Sequence, residues 1–140
     1  VALEGVRLLV LALDTTLQRG AGAAGVRSRP GVTLGPVAIT PDELGTAWHQ
    51  GRAQVVLPWR AAGAPVQRLD AGQAPHAWGD VLAQLCATRR LRAGAVVGCG
   101  DLSAGPAAPL CHGDTLRLDA IGRDGLSLFG AIEQTVVPRD

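Results

Sequence analysis

The apolar positions of this chain fall into short blocks broken by glycine, proline and charge. Val6-Arg-Leu-Leu-Val-Leu-Ala-Leu13 is the strongest run, leucine-rich and without alternation. That pattern predicts a strand buried on both faces. Asp14 follows it at once. A carboxylate where a buried strand ends is costly unless something pairs with it, and a metal ion is one such partner. Gln18 to Pro30 is rich in Gly, Ala and Arg and predicts a loop or weakly ordered turn, and Val32 to Thr40 a second strand. Thr40-Pro-Asp-Glu43 carries a helix-start signature, with Thr40 as N-cap, Pro41 at the first helical position and Glu43 three residues after the cap.

Ala53 to Trp59 reads as another strand, followed by a turn at Gly63-Ala-Pro65. His76 to Arg90 predicts a helix. Trp78, Val81, Leu82, Leu85 and Cys86 share one side of it, and Asp80, Gln84 and Thr88 the other. Arg89, Arg90 and Arg92 suit its C-terminal end. Ala95-Val-Val97 reads as a strand breaking into the Gly98-Cys-Gly-Asp101 turn. Thr115-Leu-Arg-Leu-Asp119 alternates as a half-buried strand does. Gly122-Arg-Asp-Gly125 supplies turn chemistry, and Leu126 to Val137 is the expected partner strand. There is no internal repeat and no heptad. The whole is a β-rich α+β domain spanning residues 1–140.

Composition changes this picture in two ways. Hydrophobic residues make up 47% of the chain but aromatics only 3%, so the core must be built from Ala, Val and Leu around Trp48, Trp59, Trp78 and Phe129. All basic residues are Arg, and Lys, Asn, Tyr and Met are missing, as GC-rich coding DNA would produce. Arg in place of Lys therefore carries little weight as a phosphate signal. A net charge of +1 gives no broad field toward nucleic acid or an anionic membrane. The first apolar run falls short of the roughly 20 residues needed to span a bilayer, and no basic leader precedes it. A cytoplasmic protein is expected. The chain opens on Val1, as a fragment, a processed product or translation from a valine-type start codon would.

The residue types that carry chemistry are sparse. Cys86, Cys99 and Cys111 have no C-x-x-C spacing, which argues against a disulfide framework or zinc knuckle; Cys86 and Cys99 are expected as small core residues. His49, His76 and His112 are scattered and read as surface or loop residues. Gly98-Cys-Gly100 lacks the following helix and basic or hydroxyl partner of a phosphate loop. Spacing alone identifies no activity.

The order of the segments says more. Val6 to Asp14, Gly35-Pro-Val-Ala-Ile-Thr-Pro-Asp-Glu-Leu-Gly45, Leu91 to Gly100, Gly113-Asp-Thr-Leu-Arg-Leu118 and Asp124 to Pro138 succeed one another over nearly the whole chain. This succession resembles the C-terminal half of the fumarylacetoacetate hydrolase family. Its most specific parts are the Gly35 to Gly45 block and the Phe129-Gly-Ala-Ile-Glu-Gln134 ending. The resemblance implies a twisted mixed β-roll, here incomplete at its N-terminus, a homodimer, and Mg²⁺, Mn²⁺ or Ca²⁺ as cofactor. It implies hydrolysis of C–C bonds in acylpyruvate or β-diketone acids, with hydratases and decarboxylases of small oxo-acids on similar scaffolds. In such chemistry a hard cation stabilises the enolate left by C–C cleavage.

Carried residue by residue, the resemblance makes Asp14 a metal ligand, Arg29 the catalytic-site cation, and Gln18, Gly100 and Asp101 substrate-binding positions. Several positions depart from the family pattern. Its Glu-x-Glu pair of ligands would lie upstream of Val1. Leu13 and Gln18 stand where Asn and Arg are common. Ser28-Arg29-Pro30 replaces a Ser-Lys-Pro context, and Arg cannot act as a base at neutral pH. Gly98-Cys-Gly-Asp101 replaces a Gly-x-Gly-Thr turn, so Asp101 would repel a substrate carboxylate. Two readings follow: a metal-dependent hydrolase or lyase, or a degenerate non-catalytic relative that keeps the fold as a partner subunit or decaying copy.

Overall fold

The computed structural model describes residues 3–19, 26–100, 102 and 109–138, with the side chains of residues 17–19 and 26–30 outside that description. Strands β1 (Leu9–Arg19) and β2 (Val26–Ile39) form a long antiparallel hairpin. A miniature hairpin follows, β3 (Trp48–His49) with β4 (Arg52–Ala53). Its two-residue loop, Gln50-Gly51, has positive φ at both positions (50° and 68°), as the right-handed twist of its strands requires. Then come β5 (Val56–Ala61), β6 (Gln67–Asp70), the helix α1 (Trp78–Cys86), β7 (Thr115–Leu118) and β8 (Ile132–Thr135). The last four strands build a sheet in the order β6-β5-β7-β8, and every named pairing among the described residues is antiparallel. The architecture is β-rich with little helix. No helix among the described residues is long and apolar enough to cross a membrane.

The core lies between the hairpin and the inner face of the four-stranded sheet. Leu9, Leu11 and Ile39 from the hairpin meet Leu57, Leu118, Ala120, Phe129 and Ile132. Alternation along β7 is the expected one: Leu116 and Leu118 are buried, Thr115 and Arg117 exposed. The helix also behaves as its periodicity predicts. Leu82 is buried with Trp78, Val81, Leu85 and Cys86 half-buried, while Asp80, Gln84 and Thr88 face solvent. It is shorter than expected, ending at Cys86, so the exposed Arg89, Arg90 and Arg92 lie beyond it.

Other expectations are corrected. Val6 to Leu13 is not buried on both faces. Leu9 and Leu11 are buried, but Leu8 is 60% exposed and Ala12 exposed, because β1 has only β2 beside it and its outer face is uncovered by any described residue. The strand also runs past Asp14 to Arg19. Gln18 and Arg19 are strand paired with Arg27 and Val26, and residues 26–30 belong to β2 rather than to a loop. The Thr40 signature forms only the reciprocal half of a capping box, the Thr40 N–H and Oγ1 both donating to Glu43 Oε2 at 2.6 and 2.9 Å, and the helix it predicts is absent. Gly45 then adopts φ +54°, which α-helix geometry excludes, and the segment ends in a 3-10 turn, Gly45–Ala47. The strand expected at Ala95–Val97 is absent, and Val96 is 73% exposed. Of Leu126 to Val137, only Ile132–Thr135 joins the sheet.

β2 is three residues longer than β1, and the excess is placed at two bulges. Between the Val10–Ala38 and Ala12–Leu34 pairs, Gly35, Pro36 and Val37 oppose Leu11 alone. There the Val37 N–H leaves the hairpin ladder and donates to the Phe129 carbonyl at 3.1 Å. Further along, Gln134 Nε2 donates to Thr33 Oγ1 at 2.5 Å. These contacts tie the hairpin to the C-terminal strand. They also bring together the two blocks that carry the family resemblance most specifically.

Candidate functional site

The second bulge lies where the sequence points to chemistry. Thr15 pairs with Gly31 and Leu17 with Ser28, so Arg29 and Pro30 together oppose Thr16. Bulges re-aim side chains and are over-represented beside active sites. A proline inside a strand is accommodated at such a place, because it has no N–H to give to the ladder. Pro30 was therefore a readable bulge signal within a segment that its glycines made look like a loop.

The hairpin register puts three candidate residues on one ribbon. Asp14 pairs with Val32, Gln18 pairs with Arg27, and Arg29 sits in the bulge between them. The side chains of Gln18 and Arg29 lie outside the described residues. Asp14 is described and exposed. It belongs to the outer face of the hairpin, beside Ala12 on its own strand and near Val32 and Leu34, which are 55% and 46% exposed. The cost of burying a charge, which made a metal partner attractive on sequence grounds, does not arise at an exposed position.

Gly100 has φ +101°, a left-handed conformation that disfavours any side chain. It closes an exposed stretch beyond Gly94 that pairs with no strand. Asp101 lies outside the described residues. Nothing described joins Gly100 to the hairpin ribbon.

A hard divalent cation takes about six or more oxygen ligands. Among the described residues no three His, Cys, Asp or Glu side chains converge where an ion could sit. The described residues therefore do not fit Mg²⁺, Mn²⁺ or Ca²⁺, and Asp14 offers one carboxylate at most. The remaining titratable candidates stay apart as well. His49, His76 and His112 are exposed, in keeping with their sequence reading. Cys86 and Cys99 are half-buried rather than core residues, and Cys111 is exposed. Burial raises the Cys99 thiol above its ordinary value, partly offset by a backbone hydrogen bond.

Two grooves are prominent on the described surface, and neither is lined by Asp14 or Gly100. One, of about 390 Å³, lies between the N-terminal turn and the Thr40 segment, with Leu3, Val6 and Trp48 as apolar wall and Glu4 and Asp42 at its rim. The other, of about 270 Å³, runs over the four-stranded sheet at Trp59, Arg60 and Arg117.

Comparison with known proteins adds what the described side chains do not. No curated protein matches the chain. The family described as "Fumarylacetoacetate (FAA) hydrolase C-terminal" does match, over residues 1–137. The match spans both the hairpin that carries Asp14 and the C-terminal strand that docks on it, and the chain belongs to this family.

Proposed function

We propose that the chain is the C-terminal part of a divalent-metal-dependent hydrolase or lyase that cleaves C–C bonds in acylpyruvate or β-diketone acids. The observation that carries this reading is the hairpin register, which sets Asp14, Gln18 and the bulged Arg29 along one ribbon. The family match supports it at the level of reaction class. In this reading the ribbon lines the site of a twisted β-roll in a cytoplasmic homodimer, with Gly100 and Asp101 as substrate-binding positions by the family resemblance alone. Arg29 holds the oxo-acid anion through its guanidinium fork. Asp14 is one carboxylate of a ligand set that the described residues do not complete, so no reaction step is assigned to a metal here.

Two residues favour a second reading, a degenerate relative that keeps the fold without turnover. Arg29 stands where the family's lysine would move a proton, which Arg does not do at neutral pH. Asp101 stands where a hydroxyl would receive the substrate carboxylate, and a second carboxylate repels it. Calorimetry with Mn²⁺ on the chain and on Asp14→Ala, beside an acylpyruvate hydrolysis assay, separates the two. Micromolar binding lost in the variant, with turnover, supports the enzyme. Absence of both binding and turnover leaves the degenerate relative.

A further inference from the structure

The groove over the four-stranded sheet has an unusual pair at its centre. Arg60 on β5 is directly opposite Arg117 on β7, on the sheet face turned away from the core, and both are exposed. Like charges directly opposite on one face destabilise a sheet. Arg117 is compensated from its other side: Nη1 donates to Glu133 Oε2 on β8 at 2.8 Å. Arg60 has no ion pair among the described residues. Asp119 also lines the groove, but its Oδ1 already accepts from the Ala120 N–H at 2.7 Å and from Ser127 Oγ at 2.6 Å. The remaining lining is largely apolar, from Pro58, Trp59 and the exposed Val66.

We propose that this groove binds a small organic monocarboxylate, its head seated between Arg60 and Arg117 and its apolar body lying on Pro58 and Val66. Two guanidinium groups match the two oxygens of a carboxylate, each with parallel donors in a fixed plane. Asp119 on the wall opposes a dianion such as phosphate, which selects for a single negative charge. A groove of about 270 Å³ lies near the small end of ligand sites, room for a chain of several carbons but not for a nucleotide. Neither Asp14 nor Gly100 takes part, so the site stands independently of the proposed oxo-acid chemistry.

NMR titration of the ¹⁵N-labelled chain with acetate, hexanoate and inorganic phosphate at constant ionic strength tests this. Hexanoate is expected to give saturable shifts at Arg60, Val66 and Arg117, with affinity about tenfold above acetate for the added apolar contact. Arg60→Ala should weaken hexanoate binding about tenfold or more while leaving the thermal midpoint near that of the parent. Glu133→Gln should tighten binding, because it releases Arg117. Shifts that fail to saturate, that survive Arg60→Ala, or that are larger and tighter for phosphate overturn the assignment. A Glu133→Gln variant that binds no tighter overturns the two-arginine seat.

Discussion

Gly130 has φ +71°, and a Cβ added there would stand 2.5 Å from Pro36 Cγ. The conformation and the close approach penalise any side chain together. Gly130→Ala is expected to lower stability by about 2–4 kcal/mol, summing left-handed strain and overpacking, as read from urea denaturation. Arg52 is a second single-residue tie, its Nη1 donating to the carbonyls of Gly72 and Ala74 beneath the 3-10 turn Ala71–Gln73. Arg52→Ala should cost about 1.5–3 kcal/mol, the range for hydrogen bonds to a charged group. Cys99 gives a pH dependence. Its folded-state pKa is raised, so the folded chain favours the neutral thiol. That contribution is complete below the ordinary thiol value of 9.0 and is lost as pH rises through the folded value. Denaturation midpoints should therefore fall on the alkaline side, and Cys99→Ser should flatten that fall.

At the scale of elements, the docking of the hairpin on β8 rests on few polar contacts, among them Gln134 to Thr33. Thr33→Val is expected to cost about 1 kcal/mol. A double-mutant cycle with Gln134→Leu should recover part of that, since removing both partners leaves no orphaned polar group. What the sequence reveals about these elements depends on whether the information is local. The alternation of β7 and the two faces of α1 are set by neighbours along the chain, and both are legible. The burial of β1 is not. Leu8, Val10 and Ala12 look as apolar as Leu9 and Leu11, yet which face is covered depends on what packs against the hairpin, and only its inner face meets Leu57, Leu118, Phe129 and Ile132. Asp14 is expected at the end of a buried strand, and its exposure is hidden from the sequence for the same reason. The Arg60–Arg117 opposition is invisible in sequence, because 56 intervening residues hide a register that only the folded sheet fixes.

For the whole molecule, surface is the dominant fact. The chain exposes 9905 Å², against roughly 6,800 Å² for a folded monomer of its mass. Apart from Ala120 at 0%, none of its core residues falls below 3% exposure. On the hairpin, Leu8, Val32, Leu34 and Val37 are all exposed. Apolar surface of this kind marks an interaction face. Light scattering after size exclusion is expected to show self-association at micromolar concentration, and Val32→Thr with Leu34→Thr should shift it toward monomer. A monodisperse monomer in the unsubstituted chain would count against the homodimer.

The attachment of β2 to Phe129 has a further consequence during synthesis. The hairpin precedes Phe129 and Ile132, which complete the cover of its inner face, by about 90 residues. At roughly 5–20 residues per second, Leu9, Leu11 and Ile39 emerge from the ribosome some 5–18 s before that cover is complete. For that interval the nascent chain presents incompletely covered apolar surface beside open strand edges, which makes such a species prone to aggregate. A chain stopped at Gly125 would never leave this condition. It should accumulate as insoluble protein, whereas a chain stopped at Pro138 should not.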